Sequence, residues 1–127
     1  MAINADVDIV TAREQGRALA SRLGFSGSEL TVIATAISEV ARNIIEYGRR
    51  GEIVLSLIQQ GNRRGIAIVA RDEGPGIPNI AQAMQDGFTT GGGLGLGLPG
   101  ARRLMDEFDI VSRSGMGTTV TMRKWKP

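Results

Sequence analysis

Eleven of the eighteen glycines of this 127-residue chain gather at 74–76, 87–100 and 115–117 instead of spreading as they would in a low-complexity linker. Glycine clusters interrupt regular structure and permit backbone geometry that other residues resist. Helices and strands are therefore confined to the intervals between them. Residues 6–10 read as a short strand. A helix is predicted from about Thr11 to Leu23, with Gly24 as its stop signal. Ser28 is placed to cap a second, longer helix through about Tyr47, closed by Gly48. Residues 51–59 and 66–71 read as strands around a turn at Gly61-Asn62. A short helix is expected at Ile80–Gln85 and another from Leu98 to Asp106. Residues 107–113 and 118–125 make a final hairpin turning at Gly115-Met116-Gly117. Adjacent strands after a helix-rich start argue for one sheet covered by helices on one side.

Composition mostly excludes. At 127 residues the chain is expected to be one domain, 1–127. Fifteen basic against thirteen acidic residues leave a net charge of +2, which gives no electrostatic footprint for nucleic acid. There is no cysteine for a disulfide or thiolate metal site, and no histidine for the common zinc sites or for histidine catalysis. Residues 1–6 lack the basic and apolar parts of a signal peptide, and no apolar run is long enough to span a membrane. The expectation is a cytoplasmic protein without membrane or nucleic-acid partners. The basic end Arg123-Lys124-Trp125-Lys126 reads as a solvated strand edge.

Three blocks carry the candidate chemistry. In the second helix Leu30, Ile33, Ala34, Ile37, Val40, Ala41 and Ile44 form a buried stripe. Glu39 and Asn43 fall away from that stripe, about 40° apart around the axis and roughly 6 Å apart along it. Both can reach one ligand, although such a pair standing alone is more simply read as a solvated polar face. The second block, Asp72-Glu73-Gly74-Pro75-Gly76-Ile77-Pro78, puts a carboxylate at the end of an apolar strand, before a tight turn. Gly74 and Gly76 allow a flat ligand to approach closely, and the carboxylate can accept from an exocyclic amine; an ordinary Asp/Gly/Pro turn has the same composition. The third, Gly91 to Leu98, offers unhindered N–H groups ahead of a helix N-terminus, as a phosphate cradle or a mobile linker would. It is neither a Walker loop nor a dinucleotide fingerprint.

The order of these blocks resembles the GHKL superfamily, the gyrase and histidine-kinase type of ATP-binding fold. Glu39 and Asn43 match its N box, and Asp72-x-Gly74-x-Gly76 its first glycine box. Residues 91–98 are similar to the second glycine box and Gly115-Met116-Gly117-Thr118 to the third. The stretch Asp86-Gly87-Phe88-Thr89-Thr90 and the small size resemble the anti-sigma-factor-type serine/threonine kinases, among them the switch kinases of stressosomes. The resemblance implies an α+β two-layer sandwich of the Bergerat type, with a mixed, mostly antiparallel sheet and helices on one face. It implies ATP and Mg²⁺ as cofactors, Glu39 as general base and Asn43 as the Mg²⁺ ligand. Asp72 would bind the adenine amine, assisted by Thr118, with Gly74 and Gly76 letting the base pack closely. Gly93, Gly95, Gly97 and Leu98 belong to the lid over the phosphates.

The same resemblance implies a partner-switching kinase. It would phosphorylate a serine or threonine of a STAS-domain antagonist protein, be released, and activate a downstream regulatory enzyme such as a PPM-type serine phosphatase in a stress-response pathway. The alternatives are an anti-sigma kinase that binds a sigma factor directly, and a nucleotide-gated binding module with negligible turnover. Two departures from the family pattern stand out. Tyr47 occupies the place of the family's histidine one turn beyond the asparagine, and the lid 91–98 holds no arginine; Arg102 and Arg103 are the candidates to replace it.

Overall fold

The computed structural model describes residues 1–48, 50–76, 84 and 97–127. Its longest helix, α2 (Gly27–Tyr47), buries Ile33, Ala34, Ala36, Ile37, Val40, Ala41 and Ile44 along one side. That stripe packs on a five-stranded sheet and makes the core. In chain order the elements are β1 (Ala2–Ile3), α1 (Asp6–Leu23), α2, β2 (Gly51–Gln60), β3 (Arg63–Asp72), α3 (Gly97–Leu104), β4 (Glu107–Ser112) and β5 (Thr118–Trp125). The strand order is β1-β2-β3-β5-β4. Among the described residues all four pairings are antiparallel, without the parallel pair that a mixed sheet would hold.

Register decides which side chains meet the helices. The rows Ile53–Ala70–Val120–Ile110 and Leu55–Ile68–Met122–Phe108 run across β2, β3, β5 and β4 on the core face. The opposite face carries Val54, 40% exposed, and Val111, 54% exposed. The described helices therefore cover one side of the sheet, as expected. On α1, Ala12, Gly16 and Ala20 form a stripe of small buried residues, and Gly16 leaves the room that the end of the Ile37 side chain fills.

The structure corrects the sequence reading at several ends. Residues 6–10 belong to α1, not to a strand. The Asp8 carboxylate accepts from the N–H groups of Asn4 and Ala5 (2.9 and 3.0 Å) and so fixes a helix start there. Val7 and Val10, whose branching suggests a strand, lie exposed on that helix. The first strand is instead Ala2–Ile3, with Ile3 fully buried and paired to Gly51. Gly24 ends α1 at φ 94°, in the left-handed conformation that favours glycine.

The cap of α2 is Ser26, not Ser28. Ser26 Oγ accepts from Glu29 N–H (3.4 Å), while Ser26 N–H donates to Glu29 Oε1 (3.1 Å), a reciprocal capping box. The α3 helix stops at Leu104 because Asp106 accepts instead from Trp125 N–H (2.7 Å). The basic end is no strand edge either. Arg123, Lys124 and Trp125 lie on β5, between β3 and β4, where Arg123 pairs with Glu107 (3.3 Å) and Lys124 with Asp106 (3.5 Å), and Lys126 follows the strand. Trp125 is buried under the Arg63 guanidinium, 4.2 Å from the ring centroid. The helix expected at Ile80–Gln85 lies outside the described residues, where only Met84 is placed. Among the described residues no helix is long and apolar enough to cross a membrane.

The two candidate caps make separable expectations. Ser26→Ala should lower the free energy of urea unfolding by about 1 kcal/mol, whereas Ser28→Ala should change it by less than about 0.5 kcal/mol. Equal losses would refute the cap assignment.

Candidate active site

Asp72 ends β3, and the chain folds back around its carboxylate. Oδ1 accepts from Gly74 N–H (2.9 Å) and Thr118 N–H (3.2 Å). Oδ2 has no donor among the described residues and retains its capacity to accept. The first and third glycine blocks meet here. Gly115 N–H donates to Pro75 O (2.7 Å), and the Thr118 and Ser112 hydroxyls lie 2.8 Å apart. Thr118 is buried beside Asp72.

Close packing explains the glycines. A Cβ on Gly74 would sit 2.7 Å from both the Gly48 Cα and the Tyr47 carbonyl oxygen. Gly76, at φ 82°, needs both its conformation and its missing side chain, since a Cβ would run into the Arg113 carbonyl. Gly48 was legible in the sequence only as a helix stop. Its φ of −92° is open to any residue, so conformation does not call for glycine there. Space does: a Cβ would press into the Asp72 side chain, 2.8 Å from Oδ2.

Glu39, Asn43 and Tyr47 follow one another at i, i+4 and i+8 along α2, over about 12 Å of axis. The C-terminal end of this row abuts Asp72 through Gly48. At the other end Glu39 is 6% exposed, a carboxylate almost removed from water. Both of its oxygens are engaged. Oε1 accepts from Arg42 Nη1 and Oε2 from Gly97 N–H, each at 2.9 Å. The second bond ties the start of α3 to the middle of α2, and Leu98 is buried beside it. Asn43, between the two ends, is half-buried, and its amide has no hydrogen bond among the described residues. Its oxygen is thus free for a hard cation. No cluster of three or more His, Cys, Asp or Glu side chains forms among the described residues.

The sequence-predicted residues therefore fall into two groups joined by α2: Asp72, Gly74, Gly76 and Thr118 at its C-terminal end, Glu39, Gly97 and Leu98 near its middle. Gly93 and Gly95 lie outside the described residues. Arg102 and Arg103 are exposed in the last turn of α3. The Arg42 contact was not read from the sequence, although an arginine three residues after a glutamate on a helix is a recognisable pairing signal.

An antiparallel sheet with helices on one face and an aspartate in a glycine-lined turn defines an ATP-binding domain of the GHKL type. The chain belongs to the family of histidine kinase-like ATPase domains, which it matches over residues 3–124. It is 49% identical over 123 residues to the serine/threonine-protein kinase RsbT of Bacillus subtilis (strain 168), covering 97% of this chain and 92% of that one. It is 36% identical over 120 residues to the anti-sigma F factor of Thermoanaerobacter sp. (strain X514), covering 90% and 82%. These similarities place it with the serine/threonine-protein kinases of the family. Among solved structures, the mycobacterial sensor histidine kinase MprB shares the fold with a TM-score of 0.57 at 20% identity, covering 77% of this chain and 73% of that one. The catalytic domain of the histidine kinase ThkA does so with a TM-score of 0.53 at 21% identity, covering 76% and 67%.

Gly48 offers a test of the pocket geometry. Gly48→Ala should weaken binding of a fluorescent ADP analogue by about tenfold, the equivalent of a modest overpacking strain. Unchanged affinity would mean that the space beside Asp72 Oδ2 is not used.

Proposed function

We propose that residues 1–127 form one cytoplasmic kinase domain that transfers the γ-phosphate of ATP to a serine or threonine of a STAS-domain antagonist protein. Phosphorylation of that partner releases the kinase, which then activates a downstream enzyme such as a PPM-type serine phosphatase. The observation that carries this reading is the row on α2. It puts a nearly buried carboxylate at one end, an uncommitted amide in the middle, and at the other end the pocket of Asp72. The 49% identity to RsbT supports the choice of serine or threonine as acceptor.

In this reading the Asp72 Oδ2 accepts from the exocyclic amine of adenine, with Thr118 beside it and with Gly74 and Gly76 allowing the tight turn that holds the carboxylate in place. Asn43 holds Mg²⁺, which when bound neutralises phosphate charge. Gly93, Gly95, Gly97 and Leu98 close over the phosphates and exclude water. Glu39 is the general base: it orients the attacking hydroxyl and takes its proton. Positioning and charge neutralisation are what phosphoryl transfer chiefly requires. The anti-sigma F factor relatives favour a second reading, in which the partner is a sigma factor bound directly.

Incubation with γ-labelled ATP and STAS-domain proteins of the same genome tests the proposal. Label should appear on a partner serine or threonine. Glu39→Gln should slow transfer by about 100-fold or more while ADP affinity changes less than about threefold. Asn43→Ala should abolish the Mg²⁺ dependence of ATP binding. Binding of ATP without transfer to any partner would favour a nucleotide-gated binding module, and capture of a sigma factor would favour the second reading.

A further inference from the structure

The charge balance around Glu39 points to a residue with a larger part than its sequence suggested. Glu39 is 6% exposed and needs a compensating cation, which Arg42 provides at 2.9 Å. Only Nη1 of Arg42 is committed. Of the five N–H donors on a guanidinium, the others have no partner among the described residues, and the side chain is 32% exposed. Around the α2 axis Arg42 lies about 60° to one side of Glu39 and Asn43 about 40° to the other. Base, cation and amide thus form one cluster.

The arginines of α3 are poorly placed for the same work. Only Gly97, the first residue of α3, reaches Glu39, and Arg102 is five residues further on, about 7.5 Å along the axis. The inward residues of that helix are Leu98, Pro99, Gly100 and Ala101, whereas Arg102 and Arg103 are exposed. The 91–98 segment contains no arginine, and among the described residues the cation paired with Glu39 is Arg42 on α2.

We propose that Arg42 is the catalytic cation of this site. This rests on the reading of Glu39 as general base. With Mg·ATP bound, Arg42 turns its fork from Glu39 to the terminal phosphate, where a planar, permanently charged group can bind two oxygens at once. The move frees Glu39 Oε1, while the Gly97 N–H keeps Oε2 in place. The substrate hydroxyl then gives its proton to Oε1, and its oxygen forms the new bond to the γ-phosphorus. The bond from the γ-phosphorus to the bridging oxygen breaks, and its electron pair leaves with ADP. Arg42 offsets the charge on the transferring group and returns to Glu39 once that carboxylate has released its proton to water. One side chain thus serves both the resting pair and the reaction.

The test combines calorimetric titration with Mg·ADP and with Mg·AMPPNP, a single-turnover transfer assay, and Arg42→Met and Arg42→Lys variants. Arg42→Met should leave ADP affinity within about twofold, weaken AMPPNP about tenfold, and slow transfer by about 100-fold or more. Arg42→Lys should recover part of both losses, because it keeps the charge without the fork. An unchanged AMPPNP-to-ADP affinity ratio would overturn the proposal. So would equal loss of both nucleotides together with a lowered melting temperature, which marks a structural tether to Glu39. Absence of transfer by the unsubstituted protein would count against the kinase reading itself, and the affinity ratio would still decide the part played by Arg42.

Discussion

The packing of α2 on the sheet is the interaction on which the rest depends. Its buried residues, Ile33, Ile37, Val40 and Ile44 among them, dock against Ile53, Ile66, Ile68, Val120 and Met122 from the strands. At roughly 1.5–3 kcal/mol for each large aliphatic side chain taken fully out of water, this interface is a major source of stability. The same burial sets the rotation of the helix. Once the apolar stripe faces the sheet, Glu39, Asn43 and Tyr47 have one direction left in which to point, and Gly48 arrives against Asp72. The direction of that row is a consequence of rotational register.

The sheet contributes the other half of the constraint. Antiparallel pairing brings the end of β3 beside the start of β5, so that Asp72 and Thr118 become neighbours despite 46 residues of separation. The backbone N–H groups of Gly74 and Thr118 fix one carboxylate oxygen and leave the other without a donor among the described residues. Glu39 is held by the same principle, a side chain and a backbone N–H each taking one oxygen. Two acids pinned by different elements, with a helix of fixed pitch between them, give a preorganised site.

Much of this was legible in the chain. The apolar period of 33–44, the strands flanking Gly61-Asn62, the closing hairpin and the grouping of Asp72 with Gly74, Gly76 and Thr118 all follow from local patterns and block order. What escaped depends on pairings that distance along the chain conceals. The Asp8 carboxylate turns a strand-like 6–10 into helix, and Asp106 gives up its place in α3 to hold Trp125. Gly48 looks like any helix stop until the Asp72 side chain is seen to need its space. Arg42 looks like surface charge until Glu39 is found to be buried.

A crystal structure of the protein with Mg²⁺ and AMPPNP tests the central claim most directly. The account predicts the exocyclic amine of adenine on Asp72 Oδ2, the cation on the Asn43 side-chain oxygen, and the terminal phosphate at the Glu39 end of α2. An adenine seated away from Asp72, or a cation without Asn43 among its ligands, would contradict it.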